Sequence, residues 1–181
     1  MWCNRRVARY VAFLRAVNVG RRRVAMATAC AALSEIGLED VSSFVNSGNL
    51  LFSATGRASG HEATIRKALE STFGFEMTTF VRTAAQVEAL ATDKPFGPLA
   101  TGHTQFALLT LAPMSAADRR TVEALSNEHD EVVVVGRDIH WLIRSKSTET
   151  TLGPTVWKHA LPNNPTTARN TTMLMKLVTK L

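Results

Sequence analysis

Hydrophobic residues along the chain follow two spacings, and the order of these spacings predicts the fold. Residues 10–15 form a short apolar run rich in β-branched and aromatic side chains, which is typical of a buried strand. From Met26 to Ile36 the apolar residues recur at helical spacing, and Gly37 follows as a helix end. Polar residues 46–49 separate two further apolar runs, at 41–45 and 50–53, which predicts a hairpin.

The remaining elements continue and then repeat this order. The first half goes on with a helix that ends at Phe73, a strand at 75–82 and a short helix that begins with a capping box of Thr83 and Gln86. A loop rich in proline and glycine follows at 95–102. The second half then predicts strands at 105–111, 131–135, 139–144 and 166–169, with helices from Ser115, over 156–161 and over 171–181.

Two consecutive β-α-β-β-α-β units are two ferredoxin-like units. We therefore predict an α+β protein with antiparallel sheets and a C-terminal helix. The predicted division is a loose N-terminus at 1–8, a first unit with its connecting helix at 9–92 and a second unit with the final helix at 103–181. No residue-level repeat is evident, so the duplication is predicted from the order of elements alone.

The chain has 181 residues, a formal net charge of +6 and a pI near 9.9. A basic chain favours polyanionic partners, and residues 21–23 form a dense arginine cluster. An arginine-rich solvated surface explains the same charge. No apolar stretch reaches the roughly 18 residues of a membrane span, no export signal fits the N-terminus, and two scattered cysteines favour reduced thiols. These features predict a cytoplasmic protein without a membrane partner.

The predicted hairpin turn carries more polar groups than a turn requires. Asn46, Ser47, Gly48 and Asn49 include residues that tolerate positive φ, and turn chemistry explains most of the motif. One Asn-Gly pair would suffice for the turn. The additional amide and hydroxyl groups suit either a polar ligand or a buried hydrogen-bond network.

A second polar segment follows the first strand. Arg15 ends that strand, and Asn18 and Gly20 precede Arg21, Arg22 and Arg23 on the way into a helix. Arginine at a strand end can clamp an anion, and the free N–H groups of a helix N-terminus favour anions. The loop lacks a Walker or GxGxxG pattern, so a solvated loop is the simpler interpretation.

A third polar group lies at two strand ends in the second half. Arg144 and Lys146 end one strand, and Arg169 and Asn170 end the last one. Asn170 suits the N-cap of the final helix, because its side chain can accept from an otherwise unpaired N–H group. The sequence indicates no comparable structural role for Arg169.

The sequence carries no recognised catalytic or metal motif. HExxH, GxSxG and CxxC patterns are absent, and the histidines, cysteines and acids show no ligand spacing. We therefore predict no metal and no cofactor, and the sequence names no catalytic residue. Tyr10 and Phe13 point to opposite faces of one strand, which favours core packing over the base-stacking platform of an RNA-recognition module.

Taken together, several motifs resemble the bacterial family catalogued as domain of unknown function 1697. They are the segments 13–20, 45–49, 73–75, 81–83, 95–96, 144–146 and 167–170, together with Met26. The resemblance implies a bacterial, cytoplasmic α+β protein with two ferredoxin-like units, and it implies no activity. Arg21 stands where the family usually has a second glycine, and Thr171 stands where it usually has a tryptophan.

The polar segments support three hypotheses about function. The first is a polar cleft that binds a small anionic or phosphorylated ligand, with or without a catalysed reaction, in which two arginines hold the anion. Its predicted residues are Arg15, Asn18, Asn46, Ser47, Asn49, Arg169 and Asn170. The second is nucleic-acid binding through the basic loop at 21–23. Arg144 and Lys146, together with the three arginines of that loop, are secondary basic candidates for the site. The third is a structural or interaction module whose turns form only internal hydrogen bonds.

Overall fold

The structure is a computed structural model that describes residues 7–15, 17, 23–45, 48–144 and 148–181. Its strands are Ala8–Leu14 (β1), Glu39–Ser43 (β2), Asn49–Ala54 (β3), Thr79–Thr83 (β4), Thr104–Thr110 (β5), Asp130–Val135 (β6), Asp138–Ile143 (β7) and Thr166–Asn170 (β8). Its helices are Met26–Glu35 (α1), Ala58–Phe73 (α2), Ala84–Thr92 (α3), Ala116–Glu123 (α4), Pro154–Ala160 (α5) and Thr171–Val178 (α6).

The strands form two four-stranded antiparallel sheets with the same order, β2-β3-β1-β4 and β6-β7-β5-β8. In each sheet the first strand lies between the third and the fourth, which is the ferredoxin-like arrangement. The predicted α+β class with two such units and a C-terminal helix is confirmed.

The chain divides into two compact units, and each has its own hydrophobic core. One unit contains the described residues up to Val87 together with Leu177–Leu181, and the other contains Glu88–Lys176. Tyr10, which is 3% exposed, and Phe13, which is 0% exposed, are both buried in the first unit, so the preference for core packing is confirmed. Tyr10 stacks on Phe52 with 5.4 Å between the ring centres.

Several predicted strand boundaries were wrong, most clearly those of β1, β2 and β4, and β2 covers Glu39–Ser43 rather than 41–45. β1 begins at Ala8 rather than at residue 10. β4 covers Thr79–Thr83 rather than 75–82, because Gly74 ends α2 in a left-handed conformation and the next residues form a connection. The rings of Phe73 and Phe75 lie 6.2 Å apart beside this connection, so the apolar residues at its start indicate packing rather than strand pairing.

The strand register reveals a repeat that the sequence comparison of the halves missed. Arg82 of β4 pairs with Val11, the fourth residue of β1, and Arg169 of β8 pairs with Ala107, the fourth residue of β5. Arg82 is 0% exposed and Arg169 is 9% exposed. The two arginines therefore occupy the same position in the two units.

The equivalent arginines also make the same local hydrogen bond. Nη1 of Arg82 donates to the carbonyl of Val81 at 3.0 Å, and Nη1 of Arg169 donates to the carbonyl of Ala168 at 2.8 Å. Each side chain thus turns back onto the peptide group that precedes it.

The residue after each arginine caps the N-terminus of the next helix. Thr83 and Gln86 form the predicted capping box, with both bonds present at 2.9 and 3.2 Å. In the other unit Oδ1 of Asn170 accepts from the N–H of Thr172 at 2.8 Å, which is the predicted N-cap.

Side chains of α4 cover the outer edge of β6. The hydroxyl of Ser126, just beyond α4, accepts from the N–H of Val132 at 2.9 Å, and Oε1 of Glu123 accepts from the N–H of Val134 at 3.1 Å. Arg119 donates to the carbonyls of Val134 and Gly136. These contacts satisfy backbone groups that an edge strand would otherwise present to a neighbouring chain.

A buried carboxylate joins β6 to the segment that precedes α5. Asp130 is 0% exposed, and its two oxygens accept hydrogen bonds from Trp141, Thr150 and Thr151 at 2.6 to 3.3 Å. Burial alone would raise the pKa of Asp130, but these hydrogen bonds together lower it below its ordinary value. The ionised carboxylate is therefore the form that the fold stabilises.

We expect Asp130→Asn to lower the free energy of unfolding by about 1–3 kcal/mol at pH 7, because the amide turns a donor toward buried donors. The folded pKa of Asp130 lies below the unfolded value of 3.8, so its contribution is complete above that value and is lost as the pH falls through the folded pKa. Urea unfolding between pH 7 and pH 3 measures this difference. Glu128→Gln, at a side chain that is 85% exposed, is the control, and an equal effect of both substitutions would contradict the assignment.

Candidate functional site

Three connections of the first unit meet at the end of β1. The N–H of Leu14 donates to the carbonyl of Gly48 in the β2–β3 turn at 2.7 Å, and the N–H of Arg15 donates to the carbonyl of Thr78, ahead of β4, at 3.0 Å. We call the described residues Arg15, Val45, Gly48 and Asn49 the strand-end cluster. It brings together the two polar segments that the sequence singled out.

Gly48 is held tightly against the first strand. Its φ is +75°, and a Cβ atom at this position would lie 3.0 Å from Cβ of Leu14 and 3.0 Å from Cγ2 of Val17. Only glycine combines this backbone conformation with so little space. Gly48 therefore allows the two polar segments to pack closely together, in addition to allowing the chain to reverse direction.

Asn49 closes the turn from its other side. It is 0% exposed, its Nδ2 donates to the carbonyl of Phe44 at 3.1 Å, and its own carbonyl accepts from the N–H of Phe44 at 2.9 Å. These bonds suit a structural role, and its contact with a ligand stays a prediction.

Val45 has an uncommon backbone conformation for its residue type. Its φ is +50°, and its side chain is 51% exposed. A β-branched residue in the left-handed region is a genuine outlier, and such strain is concentrated at functional sites. Sequence reasoning missed this feature, because a valine gives no signal of positive φ.

Arg15 carries the charge of the cluster. It is partly exposed, and it follows five buried residues of the strand, Tyr10 to Leu14. Among the residues that the structure describes, none accepts a hydrogen bond from its guanidinium or forms an ion pair with it. Its backbone N–H group is hydrogen-bonded to the carbonyl of Thr78, which fixes the backbone from which the charged side chain extends.

The N-terminus of α1 lies at the same end of the sheet. β2 pairs with β3 from Glu39 opposite Ser53 to Ser43 opposite Leu50, and the second pair lies beside the β2–β3 turn. α1 leads into Glu39, so the helix ends at the far end of the sheet. It therefore begins at the end near the turn. Its N-cap is Ala25, without a side-chain cap, and its first turn has no acidic residue. The unpaired N–H groups of such a helix end attract anions.

The corresponding helix of the second unit is capped by its own side chains. α4 begins with a capping box in which Ser115 accepts from the N–H of Asp118 at 3.1 Å and Asp118 accepts from the N–H of Ser115 at 3.1 Å. The positive helix end is thus neutralised in one unit, whereas α1 has no such group of its own.

Arg169 and Asn170 belong to the second unit. Nη1 of Arg169 donates to Oγ1 of Thr167 at 2.8 Å, and burial lowers the pKa of Arg169 to about 10, so it stays cationic at neutral pH. On the same face of the sheet His140 pairs with Ala107 and contacts Nε2 of Gln105 at 3.1 Å. Burial lowers the pKa of His140, while Asp93 and Asp138 oppose that effect. The predicted single cleft that joins Arg169 and Asn170 to Arg15 stays a prediction.

The other predicted basic residues are placed only in part. Arg144 is exposed, forms an ion pair with Glu131 and donates to the carbonyl of Asn127 at 3.4 Å. Arg23 is exposed as well. Asn18, Arg21, Arg22, Asn46, Ser47 and Lys146 lie outside the described residues.

Two kinds of site are not seen in the described part of the chain. No three histidine, cysteine, aspartate or glutamate residues in the described ranges are grouped so that they could hold a metal ion. No helix among these residues is long and apolar enough to cross a membrane.

These observations define a duplicated ferredoxin-like α+β protein with a basic, glycine-containing strand end in its first unit. The chain belongs to the family described as protein of unknown function (DUF1697), whose model matches residues 7–140. No curated protein matches the chain.

A solved structure shares the fold. It is that of the conserved bacterial protein SP0830 from Streptococcus pneumoniae, which matches with a TM-score of 0.74 and 22% sequence identity. The match covers 97% of this chain and 99% of that chain. At this identity the similarity shows the common architecture alone.

We expect Gly48→Ala to destabilise the protein more than Gly37→Ala. Gly37 has a φ of +84° but open space around its Cα, so alanine there meets only the left-handed conformation, which costs about 1–2 kcal/mol. Gly48 adds the contacts with Leu14 and Val17, and such overpacking costs about 1–3 kcal/mol more. Urea unfolding of both variants gives the difference, and equal losses would show that the close approach is absent.

Proposed function

We propose that the first unit binds a small anionic ligand, of the phosphorylated class, at the strand-end cluster and the N-terminus of α1. Arg15 would hold the anion, and the unpaired N–H groups after Ala25 would share it. The single observation that carries the proposal is the partly exposed Arg15, which has no acceptor within the described residues and stands at an ordered strand end.

Three further features support this proposal. The net charge of +6 attracts anions. The strained, exposed Val45 lies in the adjoining turn. α1 also lacks the acidic cap that α4 has. The polar residues Asn18, Asn46 and Ser47 flank the cluster in sequence and would orient the ligand. We also propose a cytoplasmic location, where phosphorylated metabolites are abundant.

The proposal predicts a ligand response that depends on Arg15. A thermal-shift panel of phosphate, pyrophosphate, ribose 5-phosphate, AMP, ATP and a short DNA duplex is measured on the wild type, Arg15→Gln and Arg57→Gln. We expect at least one phosphorylated compound to stabilise the wild type, by about 2.7 kcal/mol at 100 times its dissociation constant. Arg57 is the matched control, since it is an exposed arginine of the same unit.

The expected result is loss of the response in Arg15→Gln and its retention in Arg57→Gln. A response that persists in Arg15→Gln would contradict the proposed site. Stabilisation by the DNA duplex alone, falling steeply with salt, would instead support nucleic-acid binding.

A second prediction concerns the missing cap of α1. Ala25→Asp supplies an acceptor and a negative charge at the N-cap, so it should raise the free energy of unfolding by about 0.5–2 kcal/mol. The same charge should weaken the ligand response, because it occupies the place proposed for the anion. Ala25→Ser is the control that adds a cap without a charge. An undiminished ligand response in Ala25→Asp would remove α1 from the site.

A further inference from the structure

The equivalent arginines of the two units differ in their surroundings at the sheet edge. In the first unit the N–H of Val81 donates to Oε1 of Glu62 at 3.0 Å. The same oxygen lies 3.7 Å from Nη1 of Arg82. One carboxylate oxygen of α2 thus bridges the edge of β4 and the buried guanidinium.

The second unit presents the corresponding N–H group at the edge of β8. Ala168 takes the position of Val81, because it pairs with Leu108 as Val81 pairs with Ala12. The N–H of Thr110 points toward β7, where Oδ1 of Asp138 accepts it at 2.9 Å. Residues two apart on a strand direct their peptide groups to the same side, so Leu108 also faces β7. The peptide groups of Ala168 therefore face away from the sheet.

No internal group takes the place of Glu62 at this edge, as far as the described residues go. Ala168 is exposed, and none of them accepts from its N–H group. The position that α2 fills with 16 residues is filled by α5 with only 7. The guanidinium of Arg169 lies beside this edge, since its Nη1 donates to the carbonyl of Ala168 at 2.8 Å.

We propose that the edge of β8 at Ala168 and Arg169 is a carboxylate-binding site, in which a ligand oxygen takes the place that Oε1 of Glu62 holds in the first unit. The carboxylate would accept from the N–H of Ala168 and lie against the guanidinium of Arg169. It could belong to a small free acid or to the side chain of an extended peptide, which would also pair with the strand edge. The site does not depend on the one proposed at Arg15.

The burial of Arg169 favours the binding of a carboxylate beside it. Burial lowers the pKa of Arg169 to about 10, and a carboxylate beside it would raise that pKa again. The interaction would therefore be stronger than at an exposed arginine, where water screens the charge.

The test uses the full chain labelled with ¹⁵N-alanine. Sodium acetate is titrated against sodium chloride at equal ionic strength, and the shift of the Ala168 amide is followed by NMR. The peptide acetyl-Val-Thr-Glu-Val-Thr-amide and its glutamine counterpart are titrated in the same way. We expect a saturable shift with acetate or with the glutamate peptide, and none with chloride.

Two variants complete the design. Ala168→Pro removes the N–H group at an outward-facing position, where an edge strand tolerates proline, and should weaken binding in calorimetry at least about tenfold. Glu62→Ala empties the equivalent place in the first unit, so acetate should raise its melting temperature more than that of the wild type. The wild-type titration decides the proposal if either variant fails to fold.

The peptide pair distinguishes the sources of the carboxylate. Binding of the glutamate peptide about tenfold tighter than acetate and than the glutamine peptide would assign the site to an extended acidic chain. Similar affinities for acetate and the glutamate peptide would assign it to a free carboxylate. The proposal would be overturned by an Ala168 amide that moves with neither acetate nor the glutamate peptide, or by an equal shift with chloride. Binding of both peptides with equal affinity, or undiminished binding by Ala168→Pro, would overturn it as well.

Discussion

β1 and β5 each exchange backbone hydrogen bonds with two antiparallel neighbours, so a slip of one residue in either strand would turn its buried side chains to the other face. This register decides where the polar residues of both units lie. It sets Asn49 opposite Phe13 and brings Gly48 against Leu14 at the end of β1. Because Tyr10 to Leu14 are buried, Arg15 is the first residue after this buried stretch at which the chain can present a charge.

Local features of the fold could be predicted from sequence because their causes lie within a few residues. The capping boxes at Thr83 and Ser115 and the N-cap at Asn170 each involve side chains within three positions of the groups they satisfy. The boundary of β4 could not be predicted, because Phe75 looks like a strand residue, whereas in the structure it lies in the connection before β4 and packs against the core with Phe73.

Nonlocal features had to wait for the structure. Arg82 and Arg169 became recognisable as equivalents only through their partners Val11 and Ala107. A signal was available in the similar segments at 79–83 and 166–170, each with an arginine before a helix-capping residue. The excess of polar residues in the sequence pointed to a candidate site at the end of β1. That pattern could not distinguish Asn49, whose side chain is hydrogen-bonded within the turn, from Arg15.

The covering of β6 by α4 has a consequence for how the protein behaves when it is heated. β6 ends in four consecutive valines, 132–135, a composition that favours association between chains once its edge is free. This edge is protected by hydrogen bonds from side chains that lie outside the strand, those of Arg119, Glu123 and Ser126. Fraying of α4 would uncover this edge while both sheets remain folded. We therefore expect heat-induced aggregation to depend on the local stability of this eight-residue helix as well as on the stability of the whole chain.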